Sequence, residues 1–236
     1  MQIIVFDLET TLTYQKDTVP EIIEIGACKI DTKEQQVNVD TFQRYTFPHI
    51  QQRITERTRK FIGLRKEDMP EFIPFRKAFA EFLEWIGTDE DYYLCTWGRD
   101  DKKLMIEHCA RFGLPLSWLR NYNDIQPVIS TTIAERTQIS LKDAIDAAGI
   151  VQEGRLHSAL VDAIHTAHVL IKFNRIVHLE KNTPEENYYM ASPLYVTCTG
   201  CKKTKYYTEF ARKSKRCQQC LQRMKKAKEA ELQNTQ

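Results

Sequence analysis

No stretch of the 236 residues approaches the roughly 18–20 consecutive apolar residues that a membrane-spanning helix needs. The N-terminus also lacks a basic leader and a small-residue cleavage site. It is apolar only as far as Phe6, and Asp7 and Glu9 follow at once. That end therefore predicts a first strand rather than a secretory signal, in a soluble cytoplasmic protein with no membrane partner. Internal repeats are absent, and low complexity is confined to the Lys/Gln-rich C-terminal end. What remains, at 42% hydrophobic and 28% charged residues, suffices for one sizeable core and a small appendage.

Cysteine use divides in two. Cys28, Cys95 and Cys109 stand alone within apolar stretches, the usual setting of a small buried thiol. Cys198, Cys201, Cys217 and Cys220 form a pattern of their own. Charge divides the chain at the same place. From Val196 onward there are 11 Lys/Arg and 3 Asp/Glu, whereas the preceding part holds 23 basic and 29 acidic residues, so a net charge of +2 conceals an acidic body and a basic tail. That asymmetry suits a catalytic domain delivered to a polyanion by an attached arm, although a solvated tail has the same composition.

Along the chain, Ile3–Leu8, Glu21–Ile30 and Val37–Phe47 read as three strands of an antiparallel meander. Helical periodicity follows over 50–61 and 72–86, the latter with Phe75, Phe79, Phe82 and Ile86 at helical spacing. Tyr92–Trp97 reads as a strand, 101–112 as a helix stopped by Gly113, and 122–128 as a short strand interrupted by Pro127. Helices over 141–148 and 158–173 complete the pattern. Three strands, then strands alternating with helices, predict an α/β fold with a mixed five-stranded sheet flanked by helices. The polar, aperiodic run from Lys181 to Pro193 predicts a linker. The expected organisation is a domain over 1–178, a linker over 179–194 and a module over 195–236.

Asp7 and Glu9 lie two apart on the first strand, so both side chains leave one face while Phe6 and Leu8 enter the core on the other. Adjacent carboxylates repel, and a hard cation relieves the repulsion. Taken singly, such a pair is equally an ordinary solvated strand end. Asp101 follows the strand ending at Trp97-Gly98, where a carboxylate can face the sheet end or merely cap the helix; Asp100 competes with it for either role. His157 and Asp162 are five apart, about 140° on one continuous helix, and so would not share a face. With Ser158 as N-cap, His157 instead lies in the preceding loop, which can fold back over Asp162.

Together Asp7, Glu9, Asp101, His157 and Asp162 resemble, in order and local context, the DEDDh family of 3′–5′ exonucleases over roughly residues 1–175. Phe6-Asp7-Leu8-Glu9-Thr10-Thr11, Thr96-Trp97-Gly98-Arg99-Asp100-Asp101 and His157-Ser158-Ala159-Leu160-Val161-Asp162-Ala163 carry the resemblance, and Pro20–Gly26 looks like the family's second strand. Trp-Gly-x-x-Asp is most similar to the branch containing KapD and the exonucleases that trim small RNAs and histone mRNA ends. The resemblance implies a ribonuclease H-like fold and selects Asp101 over Asp100. It further implies two Mg²⁺ or Mn²⁺ ions held by Asp7, Glu9, Asp101 and Asp162, His157 as general base, and Thr10, Thr11 and Leu12 holding the terminal nucleotide.

Cys198-x-x-Cys201 and Cys217-x-x-Cys220 are two knuckles of a four-cysteine zinc site, and a segment this short draws its folding energy from the metal. Between and after them, lysines and arginines interleave with Tyr206, Tyr207 and Phe210, a composition that can neutralise phosphates and stack on bases. The same segment would also serve protein contact or self-association. The sequence therefore predicts a nuclease acting on nucleic-acid 3′ ends, RNA ahead of DNA, with a non-catalytic nucleic-acid-binding adaptor as the alternative of another class.

Overall fold

A computed structural model describes residues 2–12, 20–65, 70–87, 91–188, 195–206, 210 and 214–233. They divide into two compact units, a larger body that ends before residue 191 and a smaller C-terminal unit. No helix among the described residues is long and apolar enough to cross a membrane.

The body is built on β1 (Gln2–Thr10), β2 (Ile22–Asp31), β3 (Gln36–Thr46), β4 (Phe72–Ile73), β5 (Tyr92–Thr96) and β6 (Tyr122–Asp124), in the order β4-β3-β2-β1-β5-β6. β1, β2 and β3 pair antiparallel, while β5 runs parallel to β1, β6 to β5 and β4 to β3. The mixed sheet expected from the sequence is therefore present, widened to six strands by the two-residue β4. Seven helices accompany it among the described residues of the body: α1 (Glu56–Phe61), α2 (Phe75–Ile86), α3 (Asp100–Phe112), α4 (Gln126–Ala134), α5 (Leu141–Ala148), α6 (Ala159–Lys172) and α7 (Pro184–Tyr188).

The alternation of β1 sends its side chains into two different cores. Phe6 meets the aromatic face of α2, with Phe82 at 6.1 Å and Trp118 at 6.3 Å between ring centroids, both edge-on. Val5 goes to the opposite face, packed with Cys28, Cys95, Ile129, Ile145 and Ala163. Asp7 and Glu9 are in phase with Val5 and so project toward α6. The isolated Cys28, Cys95 and Cys109 are fully buried, as their apolar surroundings predict.

Helix α6 comes unusually near the sheet. Ala159, Ala163 and Ala167, at intervals of four, form a fully buried stripe of small side chains. Opposite its first turn lies Gly26, where a Cβ would stand 2.0 Å from the Leu160 nitrogen and 2.2 Å from the Ala159 carbonyl carbon. Only glycine permits that approach, and the approach sets Asp162 against the end of β1.

Four local expectations change. The helix expected over 72–86 yields Phe72 and Ile73 to β4, which pairs with Tyr45 and Thr46, so α2 begins at Phe75 after Pro74. Helix over 50–61 contracts to α1, because the buried Glu21 carboxylate accepts the N–H groups of His49, Ile50 and Gln51 and holds them in a turn; the helix then starts at Thr55, whose hydroxyl caps Thr58 N–H. Strand over 122–128 stops at Asp124, whose Oδ1 accepts N–H from Gln126 and Gly98, so Pro127 falls in the first turn of α4, where its missing donor is harmless. Residues 180–187, within the expected linker, are stitched to the body. Asn182 exchanges bonds with the backbone of Asn121 and Tyr122, and Asn187 donates to Leu119 O. Asparagine side chains mimic peptide groups, which periodicity does not register.

Candidate active site

Glu9, Asp101 and Asp162 are each less than a tenth exposed, and Asp7 is half-buried. Asp101 sits in the first turn of α3 and turns inward, its Oδ1 accepting Leu8 N–H at 3.2 Å; Asp100 beside it is exposed. Ser158 is the N-cap residue of α6, so Asp162 lies in the first turn and His157 in the loop before it, at φ +66. The loop folds back as its sequence predicts, with His157 N–H donating to Asp162 Oδ2 at 3.1 Å. One ligand atom each from Glu9, His157 and Asp162 can be chosen so that all lie within 4.8 Å of one another.

The electrostatics show how tightly these groups crowd. Burial, then the charges of Asp101, Asp162, Glu9 and Glu24, push the Asp7 carboxyl far above its ordinary range. Burial and the charges of Asp162, Glu24 and Asp101 raise Glu9 to about 8. Burial lifts Asp101 to about 8 and Asp162 to about 6, each partly offset by the N–H group it accepts. Asp162 Oδ1 is buried without a hydrogen-bond partner. Carboxylates that repel one another, with a buried oxygen unserved, are the donor set a divalent cation fits. His157 is lowered by partial burial and by Arg155, which keeps its imidazole neutral.

Glu24 is the residue that the sequence pattern did not single out. It stands directly across from Glu9 in the β1–β2 register and is 1% exposed. Its Oε1 accepts from Gln43 at 2.8 Å and from the Ser158 hydroxyl at 3.2 Å. Burial raises its pKa overall, although the Ala159 and Leu160 N–H groups at the start of α6 also favour its charged form. One carboxylate within the run Ile22-Ile23-Glu24-Ile25 was the available signal. Thr11 is placed otherwise than expected. Its hydroxyl is buried and accepts from Glu21 N–H at 3.0 Å and Gln51 Nε2 at 2.6 Å, so it braces the loop after β1 instead of facing a ligand. Thr10 and Leu12 remain partly exposed beside it.

In the C-terminal unit, β7 (Tyr195–Thr197) and β8 (Thr204–Tyr206) pair antiparallel, Phe210 bridges to Cys217, and α8 (Gln218–Gln233) follows. The four cysteine sulfurs converge within 4.8 Å, with Cys198 to Cys220 at 3.8 Å and Cys201 to Cys217 at 4.0 Å. A tetrahedron with Zn–S bonds of about 2.3 Å has an edge of about 3.8 Å, so the sulfurs fit that ion. N–H groups of Cys217, Cys201 and Gly200 lower the Cys198 thiol to about 6, toward the thiolate a metal binds. Tyr207, Arg212 and Lys213 lie outside the described residues.

Comparison with known proteins agrees with this geometry. The chain is similar to the probable 3′–5′ exonuclease KapD of Bacillus subtilis, at 27% identity over 174 residues, covering 72% of this chain and 82% of that protein. It is similar to the 3′–5′ exonuclease Snipper of Drosophila melanogaster, at 22% identity over 73% of this chain and 69% of that one. Its fold matches the crystallographic structure of the nuclease domain of 3′hExo, a DEDDh family member bound to rAMP, with a TM-score of 0.68 at 23% identity over 77% of this chain and 96% of that one. The family model described as Exonuclease matches residues 4–170, from the first strand to the last turns of α6. The acidic pocket is thus carried by the segment that defines a family of hydrolytic nucleases, and the chain belongs to the exonuclease family.

Proposed function

We propose that the protein is a 3′–5′ exonuclease that releases nucleoside monophosphates from RNA 3′ ends. The convergence of Glu9, His157 and Asp162 carries this reading, with Asp7 and Asp101 crowding the same end of the sheet. Asp7, Glu9, Asp101 and Asp162 would hold two Mg²⁺ or Mn²⁺ ions. Such ions polarise a phosphodiester and acidify the attacking water. His157, neutral near pH 7 and at the mouth of the pocket, accepts the proton of that water. Asp162 holds the His157 backbone through its N–H and fixes the ring's position at the entrance. Thr10 and Leu12 flank the terminal nucleotide, and Thr11 supports them from beneath.

RNA is favoured over DNA because the relatives include the 3′–5′ exoribonucleases 1 of Rattus norvegicus and Mus musculus, each 24% identical over 64% of this chain. We assign the body, through α7, to the catalytic domain and residues 195–236 to a module organised by one structural Zn²⁺. The module's 11 basic residues against 3 acidic ones support a role in gripping nucleic acid. The test is digestion of 5′-labelled single-stranded RNA, DNA and hairpins with Mg²⁺ or Mn²⁺. A ladder shortening from the 3′ end, faster on RNA, is expected. Internal cuts alone, or no cleavage, would sink the reading, and faster loss of DNA would reverse the substrate assignment.

A further inference from the structure

Outside its basic tail the chain is acidic, with 29 Asp/Glu against 23 Lys/Arg. Four of those cations nevertheless crowd one cleft of about 600 Å³, where Arg59, Lys60, Arg65 and Arg155 line it and Glu56 is the one carboxylate among the described lining residues. Glu56 is paired with Lys60 at 2.8 Å, but both side chains are well exposed, so water or another anion displaces that bond at little cost. Among the described residues the cleft keeps four cations against one carboxylate.

Its walls are built into the body beside the carboxylate pocket. Arg155 lies two residues before His157, and its Nη2 donates to Lys60 O at 2.6 Å and Phe61 O at 3.3 Å, tying the loop before α6 to the end of α1. The Phe61 ring lies against the His157 imidazole with centroids 4.3 Å apart. Gly63, at φ +76, leaves the space that Arg155 fills; a Cβ there would stand 2.7 Å from its Nη1. The same contacts that set His157 therefore also form the basic cleft.

We propose that this cleft holds the sugar–phosphate backbone of the strand immediately 5′ of the terminal nucleotide, with Arg59, Lys60 and Arg65 on its phosphates. The proposal rests on the exonuclease reading above. A pocket of repelling carboxylates disfavours the approach of a polyanion, and cations beside it offset that repulsion where the rest of the strand must lie. Guanidinium groups suit phosphate oxygens because their donors form a planar fork. Glu56 competes for Lys60 in the free protein and gives it up when a phosphate arrives.

The experiment uses the full chain and the double substitution Arg59→Ala with Arg65→Ala. Fluorescence anisotropy with a labelled hexanucleotide, RNA and DNA in separate arms with Ca²⁺ present, reads binding without turnover. Affinity should fall about tenfold in both arms, and the slope of log K against log salt should shrink by about 1.4, the value for two lost phosphate contacts on a single strand. The preference for the hexanucleotide over the p-nitrophenyl ester of thymidine 5′-monophosphate, which lacks upstream phosphates, should fall by the same factor. The pair Arg59→Lys with Arg65→Lys should recover most of the affinity. Unchanged affinity and slope in the alanine variant, or an equal loss on hexanucleotide and ester, would overturn the proposal. A wild-type protein that binds the strand through these residues yet cleaves nothing would refute the exonuclease reading and leave the cleft standing.

Discussion

Glu9→Gln should make the metal-free protein more stable, and the size and pH dependence of the gain follow from the site. Glu9 ionises near 4.5 in an ordinary setting and at about 8 in the fold, through burial and the charges of Asp162, Glu24 and Asp101. One pKa unit corresponds to about 1.36 kcal/mol, so at pH 7, where the buried Glu9 carboxyl takes up a proton that it would not hold in the unfolded chain, this shift costs the fold about 3 kcal/mol. Because the neighbouring carboxyls also relax when one charge is removed, a measured gain of about 2 kcal/mol is expected. A folded pKa raised above the unfolded one leaves stability intact below pH 4.5, erodes it between 4.5 and 8, and adds no further loss above. The advantage of glutamine should therefore be absent at pH 4 and complete by about pH 8. All three tryptophans, Trp85, Trp97 and Trp118, lie in the body, so their fluorescence during thermal unfolding reports the catalytic unit and not the cysteine module. For a unit of this size 2 kcal/mol corresponds to about 4–8 °C. Added Mn²⁺ should raise the wild type more than the variant and close the gap. A glutamine variant no more stable than wild type at pH 7.5 without Mg²⁺ or Mn²⁺, or one with the same advantage at pH 4, would refute the argument.

His157→Ala should keep the fold and bind Mn²⁺ while turnover falls about 10²–10⁴-fold, the range for loss of a general base; single-turnover cleavage of labelled RNA checks it. Asp101→Asn should abolish cleavage and Asp100→Asn should leave most of it, since only Asp101 turns toward β1; equal losses would remove that distinction. Glu24→Gln keeps an oxygen for Ser158 and Gln43 but deletes a charge facing Glu9, so the Mn²⁺ concentration for half-maximal activity should rise severalfold. Gly26→Ala forces α6 off β2, and soluble yield or unfolding temperature should fall steeply, because the contact is with backbone that cannot turn aside. Zinc removal should unfold the C-terminal unit, seen by circular dichroism, and flatten the salt dependence of RNA binding.

Asp7 and Glu9 were legible because strand alternation alone puts them on one face, and Ser158 as a cap placed His157 in a loop without reference to tertiary structure. The four-cysteine cluster was equally legible, since its spacing is local. The helix over 50–61 is shorter than its periodicity predicts because Glu21, some thirty residues earlier, captures the N–H groups at its start. Thr11 departs from expectation for a similar reason, its hydroxyl being claimed by Glu21 N–H and Gln51.

The sequence by itself determined the alternating faces of β1, the mixed sheet, the order of the five acidic and histidine positions and the paired cysteine knuckles, all of which depend on near neighbours in the chain. Tertiary structure alone decided that Glu24 would face Glu9, that Gly26 would admit α6 to the sheet, and that Arg155 would reach across to α1 beside His157. Those outcomes depend on pairings between residues as much as 134 apart. Hydrophobic periodicity says which face of an element is buried and does not say which partner it meets.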